Sequence, residues 1–465
     1  MATALPLVAA LVCACATNNE ESKGPDSDSG AAALAHDDSS SPEATPEPEP
    51  ESTTPEEPPK PAEPPKPAWQ PREEDRITPH QPLENVATMA PFFDRLAEID
   101  DARASGAKLD KPIVRVVHLG ASMIGSDDLP GILREKFQTR FGDGGAGLVL
   151  LQRYMPNYIH RWVKLTASGW DHCYIAYLCK KDGHYGLGGT TFWSDGGART
   201  LIETRKHELG DEVSRFELWY TDNPQGGKLS LRVDNDEPVV LETRADELAD
   251  RYHEIDVEQG PHKIEVKAKG GGRVRAYGVL LETDGPGLVW DQFSMLGSFT
   301  KRLLGLDPEH IAGQIKHRDP DLIAFTYGGN DLRRVANKKL SGEQYKDEYV
   351  QVIERVRAGK PEAACLIIGI TDRGKSLTFT ILPEHVETIV EAQRAAALQT
   401  GCAFFDTYKA MGGAGSLKKW LRMKPPQAAG DLKHLNHRGR VVFGGWVYDA
   451  IVAGYVEHRT KTAGS

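Results

Sequence analysis

Cysteine is scarce: six occur in 465 residues, and none sits in the C-x-x-C spacing of a structural zinc site. No G-x-S-x-G occurs, which excludes the ordinary nucleophile elbow of an α/β-hydrolase. Beyond the N-terminus no segment has the length and apolarity of a membrane-spanning helix. A basic stripe is also missing. Lys and Arg total 56 against 67 Asp and Glu, a net charge of −11, and signs are interspersed over most of the chain, so no nucleic-acid partner is expected. The one literal G-x-G-x-x-G, "GDGGAG" at Gly142 to Gly147, follows a helical pattern instead of a strand and reads as a turn, not a nicotinamide or flavin site. No cofactor or metal is expected. Apolar residues are nearly absent between positions 17 and 81, where "SPEATPEPEPESTTPEEPPKPAEPPKPAWQP" cannot bury enough surface to offset chain entropy. This tract reads as a disordered tether at about 3.1 Å per residue.

What is present begins with "MATALPLVAALVCACA" over residues 1–16. Its apolar run is too short for a bilayer and suits a signal segment. Its ending "VCAC" resembles the bacterial lipoprotein signal. That resemblance makes Ala14 the last residue removed and Cys15 the lipid carrier, and it implies a membrane-anchored protein of the cell envelope. No Lys or Arg precedes the run, a departure from that signal. In an exported chain Cys173 and Cys179 are candidates to pair, with connectivity left open. Cys365 and Cys402 each open an apolar run and are expected as small core residues.

After the tether, "PIVRVVHLG", "DLIAFTYGG", "CLIIGIT" and "CAFFDTY" read as buried strands. They alternate with helical patterns such as "DLPGILREKFQTRFG", "GEQYKDEYVQVIERVRAG" and "PEHVETIVEAQRAAALQTG". Ser341 and Gln344 are spaced as a capping box. The alternation predicts an α/β fold with a parallel sheet covered on both faces. Between 151 and 284 the texture changes to short alternating runs such as "RFELWYTD", "GKLSLRVD" and "HKIEVKAK", separated by turn residues. An antiparallel β-sandwich is expected there. The expected organisation is a first α/β part over 82–150, the inserted sandwich over 151–284, and the second α/β part over 285–465.

Ser122 stands in "VVHLGASMIGSD", directly after the first strand. Alone, a serine there is more often turn chemistry than nucleophile. Partners lie elsewhere. "GDLKHLNHRG" carries Asp431 and His434 at a spacing that lets the carboxylate orient the imidazole. "FTYGGND" sets Asn330 and Asp331 at the carboxyl end of a strand, where open α/β sheets bind ligands. His437 is a rival base three residues past His434.

"GASM", "GGND" and "DLKH", in that order, resemble the SGNH or GDSL-like hydrolase superfamily. The weaker block "GLVWDQFSMLGSF" aligns Gly297 with that family's oxyanion glycine. The resemblance implies Ser122 as nucleophile, His434 as general base and then acid, and Asp431 orienting it. The N–H groups of Ser122 and Gly297 and the Asn330 amide would form the oxyanion hole. Ala121 and Met123 depart from the aspartate and histidine usual at those positions.

Over residues 91–455 the chain is most similar to bacterial cell-envelope esterases typified by peptidoglycan O-acetylesterases, including a carbohydrate-binding-module-like insert. This implies a serine esterase acting on acetyl or short acyl groups of an envelope polysaccharide. Trp162, Trp193 and Trp219, with Trp170 and Tyr220, are then candidates to stack on sugars. A glycan-binding lipoprotein on a degenerate scaffold, motivated by Ala121, and an acyltransferase are the alternatives. Nothing in the sequence sets an oligomeric state.

Overall fold

The computed structural model describes residues 69–206, 209–374 and 381–463. Cys15 and the tether up to residue 68 lie outside them.

Five strands form the central sheet: β1 (Ile113–Gly120), β2 (Gly287–Ser294), β3 (Leu322–Thr326), β4 (Ala364–Ile368) and β5 (Ala403–Phe405). Their order is β2-β1-β3-β4-β5 and every pairing is parallel. Only Arg115 among these residues escapes full burial, as expected of a sheet covered on both faces. Successive side chains point to opposite faces. Val114, Val116, Leu322, Ala324, Leu366 and Ile368 pack on one side against α1 (Ala90–Ser105), α2 (Leu129–Phe141) and α6 (His437–Ala463). Val117, Leu119, Ile323, Phe325 and Ile367 pack on the other against α3 (Pro308–Arg318), α4 (Gly342–Arg357) and α5 (Pro383–Thr400). The capping box starts α4: Ser341 Oγ accepts from Gln344 N at 3.1 Å, and Gln344 Oε1 accepts from Ser341 N at 2.9 Å.

Between α2 and β2 the chain builds two antiparallel sheets. One has six strands, among them Val213–Asp222, Ala249–Gly260 and Val274–Glu282; the other has five, among them Arg199–Thr204 and Lys263–Gly270. The insert begins slightly before residue 151. Gly147–Leu150 already pairs with Val274–Glu282, so "GDGGAG" is the turn that leaves α2 and enters the insert.

Two disulfides are present, Cys173–Cys179 and Cys365–Cys402. The second corrects the expectation of two separate core thiols. Cys365 lies in β4 and Cys402 just before β5, and the pairing of these strands brings them together. Among the described residues no helix is long and apolar enough to cross a membrane.

Candidate active site

The carboxyl ends of β1, β2 and β3 are tied by backbone hydrogen bonds. Met295 N donates to Gly120 O at 2.6 Å and Ala121 N donates to Thr326 O at 3.1 Å. Gly120 has no room for a side chain, since a Cβ would lie 2.9 Å from Thr326 O. The close approach swings the chain into a short 3-10 turn, Ser122–Asp127, with Ser122 half-buried at its start. Asp127 anchors the turn. Its carboxylate is buried and accepts from Arg134 Nη1 and Nη2 at 2.9 and 3.1 Å, and from Arg161 N of the insert at 2.8 Å. Ala121 and Met123 are buried in the two opposite apolar clusters. Their departures from the family pattern are therefore packing changes.

His434 arrives from the loop before α6. Leu432 adopts a left-handed φ of 53°, and Ala429 N donates to His434 O at 2.8 Å, closing the loop. His434 Nε2 lies 2.9 Å from Ser122 Oγ, and its Nδ1 lies 2.6 Å from Asp431 Oδ2. Asp431 Oδ1 accepts from Lys433 N and His434 N at 2.9 and 3.1 Å. Burial opposes charge on Asp431, but the His434 bond and these two amides outweigh it and hold the carboxyl below its usual range. Burial, joined by the nearby Arg373 charge, pushes His434 below its ordinary value despite the Asp431 carboxylate. The imidazole is thus neutral at neutral pH, with Nδ1–H directed to Asp431 and the Nε2 lone pair to Ser122. His437 does not compete for the serine. It is largely exposed and pairs with Asp128 at 3.0 Å.

Gly297 sits in the loop after β2 with φ 72° and open space around it. Asn330 follows β3, and its Nδ2 donates to Ser298 O at 2.9 Å. The two loops are joined by Asp331, whose buried Oδ2 accepts from Thr300 N and Oγ1 at 3.0 and 2.9 Å. The insert supports the Gly297 loop from its far side: Tyr174 Oη donates to Leu296 O at 2.6 Å, and Tyr154 Oη donates to Ser294 O. A cleft of about 250 Å³ is lined by Gly297, Asn330 and His434. A second is lined by Ser122, Leu296, Asp431 and His434. Asp331 with Thr300, the buttressing tyrosines and Arg373 carry no sequence pattern of their own; only the "GGND" context marks Asp331.

The tryptophans divide. Trp219 is wholly buried beside Tyr252, and its indole N–H donates to Glu217. Trp162 is 5% exposed, and Trp170 and Tyr220 are also buried. These are core residues, which corrects the expectation that they stack on sugars. Alternation shows which residues share a sheet face but not which face is inside. Trp193 is half-buried, with Lys180 Nζ 3.7 Å from its ring centroid.

The model of the GDSL-like Lipase/Acylhydrolase family matches residues 261–440. That span contains Gly297, Asn330, Asp431 and His434; Ser122 lies upstream, across the insert. No curated protein matches the chain. Among solved structures, a peptidoglycan O-acetylesterase aligns with a TM-score of 0.63 at 18% identity, covering 83% of this chain and 99% of that one. The lipase/acylhydrolase from Enterococcus faecalis aligns at 14% identity and a TM-score of 0.28, covering 36% of this chain and 76% of that one. A family two carbohydrate esterase from Cellvibrio japonicus aligns at 13% identity and a TM-score of 0.19, covering 51% and 85%. The first shares the fold over nearly its whole length, insert included; the other two alignments are too weak to carry an argument. Residues 261–440 thus resemble the GDSL-like Lipase/Acylhydrolase family, and the chain shares the fold of a peptidoglycan O-acetylesterase.

Proposed function

We propose that this protein is a serine esterase that removes acetyl or other short acyl groups from an envelope polysaccharide such as O-acetylated peptidoglycan, through an acyl-enzyme on Ser122. One observation carries the reading: the continuous hydrogen-bond relay from Ser122 Oγ through His434 to Asp431. In the first step Ser122 Oγ attacks the ester carbonyl while His434 Nε2 takes its proton, and Asp431 stabilises the imidazolium. The oxyanion receives the N–H groups of Ser122 and Gly297 and the second hydrogen of the Asn330 amide. His434 returns the proton to the departing sugar hydroxyl. Water, deprotonated by the same nitrogen, then attacks the acyl-enzyme; the acid departs and His434 returns the proton to Ser122 Oγ.

The fold shared with a peptidoglycan O-acetylesterase supports this substrate class. Two disulfides support an exported protein, since such bonds persist in oxidising compartments. A lipid anchor at Cys15 belongs to the same proposal. Acetate release from O-acetylated peptidoglycan and from 4-nitrophenyl acetate tests it, using the full chain beside Ser122→Ala. Release from both that disappears in the variant is expected. A folded chain that is silent on both contradicts the esterase, and activity on the small ester alone contradicts the peptidoglycan assignment.

A further inference from the structure

We infer that the cleft beside His434 receives a carboxylate of the substrate, with Arg373 as its anchor, so that the natural ester is carried on an acidic glycan. This rests on the esterase reading above and narrows its substrate class.

The cleft that holds Gly297, Asn330 and His434 is also lined by Arg333, Arg373 and Lys433, and among the described residues no Asp or Glu contributes to its wall. Arg373 is the telling member. Its Nη1 is buried with no hydrogen-bond partner among the described residues, and no ion pair there involves it. A buried charge without a partner is costly unless something completes it. The carboxylates that act on it through space are already engaged. Asp431 serves His434, and Asp372 Oδ2 accepts from Leu417 N at 3.0 Å. Gly329 makes room for the guanidinium, because a Cβ at that position would overlap it. Burial pushes Arg373 down to about 10, so it remains a cation at neutral pH. Arg373 lines the cleft, and a guanidinium fork matches the two oxygens of a carboxylate. Adjacency to His434 and Asn330 sets that carboxylate within about one sugar of the scissile ester.

The carboxylate has two sources in ester-bearing glycans, the sugar ring itself or a lactyl or peptide substituent. The test therefore uses acetylated polygalacturonate for the first and O-acetylated peptidoglycan for the second. Each is assayed before and after carbodiimide amidation, which neutralises carboxylates and leaves esters intact. The full chain is expected to lose about tenfold to a hundredfold in kcat/KM on amidation of at least one of them, mostly through KM. In Arg373→Gln the charged and amidated forms should converge to within about twofold, and Arg373→Lys should restore part of the difference. The ratio matters because removing Arg373 also alters His434, which affects both forms equally. Equal rates on charged and amidated glycans in the unaltered chain overturn the inference. So does an Arg373→Gln loss of the same factor on both. Where neither polymer is hydrolysed, binding of polygalacturonate to Ser122→Ala, compared with its amidated form, decides. Preference for the charged form upholds the anchor even if the esterase reading fails, and equal or absent binding refutes it.

Discussion

Ser122 and His434 are separated by 312 residues yet meet at 2.9 Å, and the charge state of the histidine governs what the pair can do. Only neutral His434 accepts the serine proton. Its pKa lies below the ordinary 6.5 because burial and the Arg373 charge together outweigh Asp431. Activity is therefore full above that lowered value and is lost as pH falls through it. The acid limb of kcat/KM for a neutral ester should sit below pH 6.5 and move to higher pH in Arg373→Gln, which removes a depressing charge. Stopped assays across pH 4–8 read this directly; a limb that stays in place excludes Arg373 as a neighbour of His434. At this scale the sequence was partly legible. Serine, asparagine, aspartate and histidine in family order declare a chemistry that residue type alone can carry. Arg373 in "TDRGK" does not, because its significance is a missing partner, and that is a property of packing.

The elements contribute through the loops at the carboxyl ends of β1, β2 and β3. Asp331 and Thr300 hold the Gly297 and Asn330 loops together, so the amide of Asn330 is oriented before any substrate arrives. Asn330→Ala should lower kcat by about 10²–10³ with KM nearly unchanged. Unaltered turnover in steady-state kinetics would remove Asn330 from the oxyanion site. Strands and helices were legible from periodicity, and the Ser341–Gln344 cap from four residues. The Cys365–Cys402 bond was not, because it depends on β4 and β5 being neighbours and no local pattern encodes that. Trp162 and Trp219 were misread for a related reason. Both lie on strand-rich segments of the insert, and which surface of each sheet faces its partner is decided by the sandwich as a whole.

Across the whole molecule, the insert and the α/β layers are locked by charge as well as by apolar packing. Glu282, the last residue of the insert's closing strand, is buried among Arg115 of β1, Arg318 of α3 and Arg215 of the insert. Burial disfavours its charge, but Arg318 and the other guanidiniums overcome this and hold its carboxyl far below the usual range. Glu282→Ala removes the partner these three cations share, leaving Arg318 only Asp291, and should cost about 3–5 kcal/mol in urea unfolding; a loss under about 1 kcal/mol would show that the network is not a joint. The insert also carries the tyrosines that brace the Gly297 loop, so damage to this joint should also lower activity at the site. The central claim is that His434 activates Ser122, and a fluorophosphonate tests it most directly. Peptide mass spectrometry of the labelled full chain should find the adduct on Ser122 and lose it in His434→Ala. Labelling at another residue, or undiminished labelling of Ser122 without His434, would contradict it.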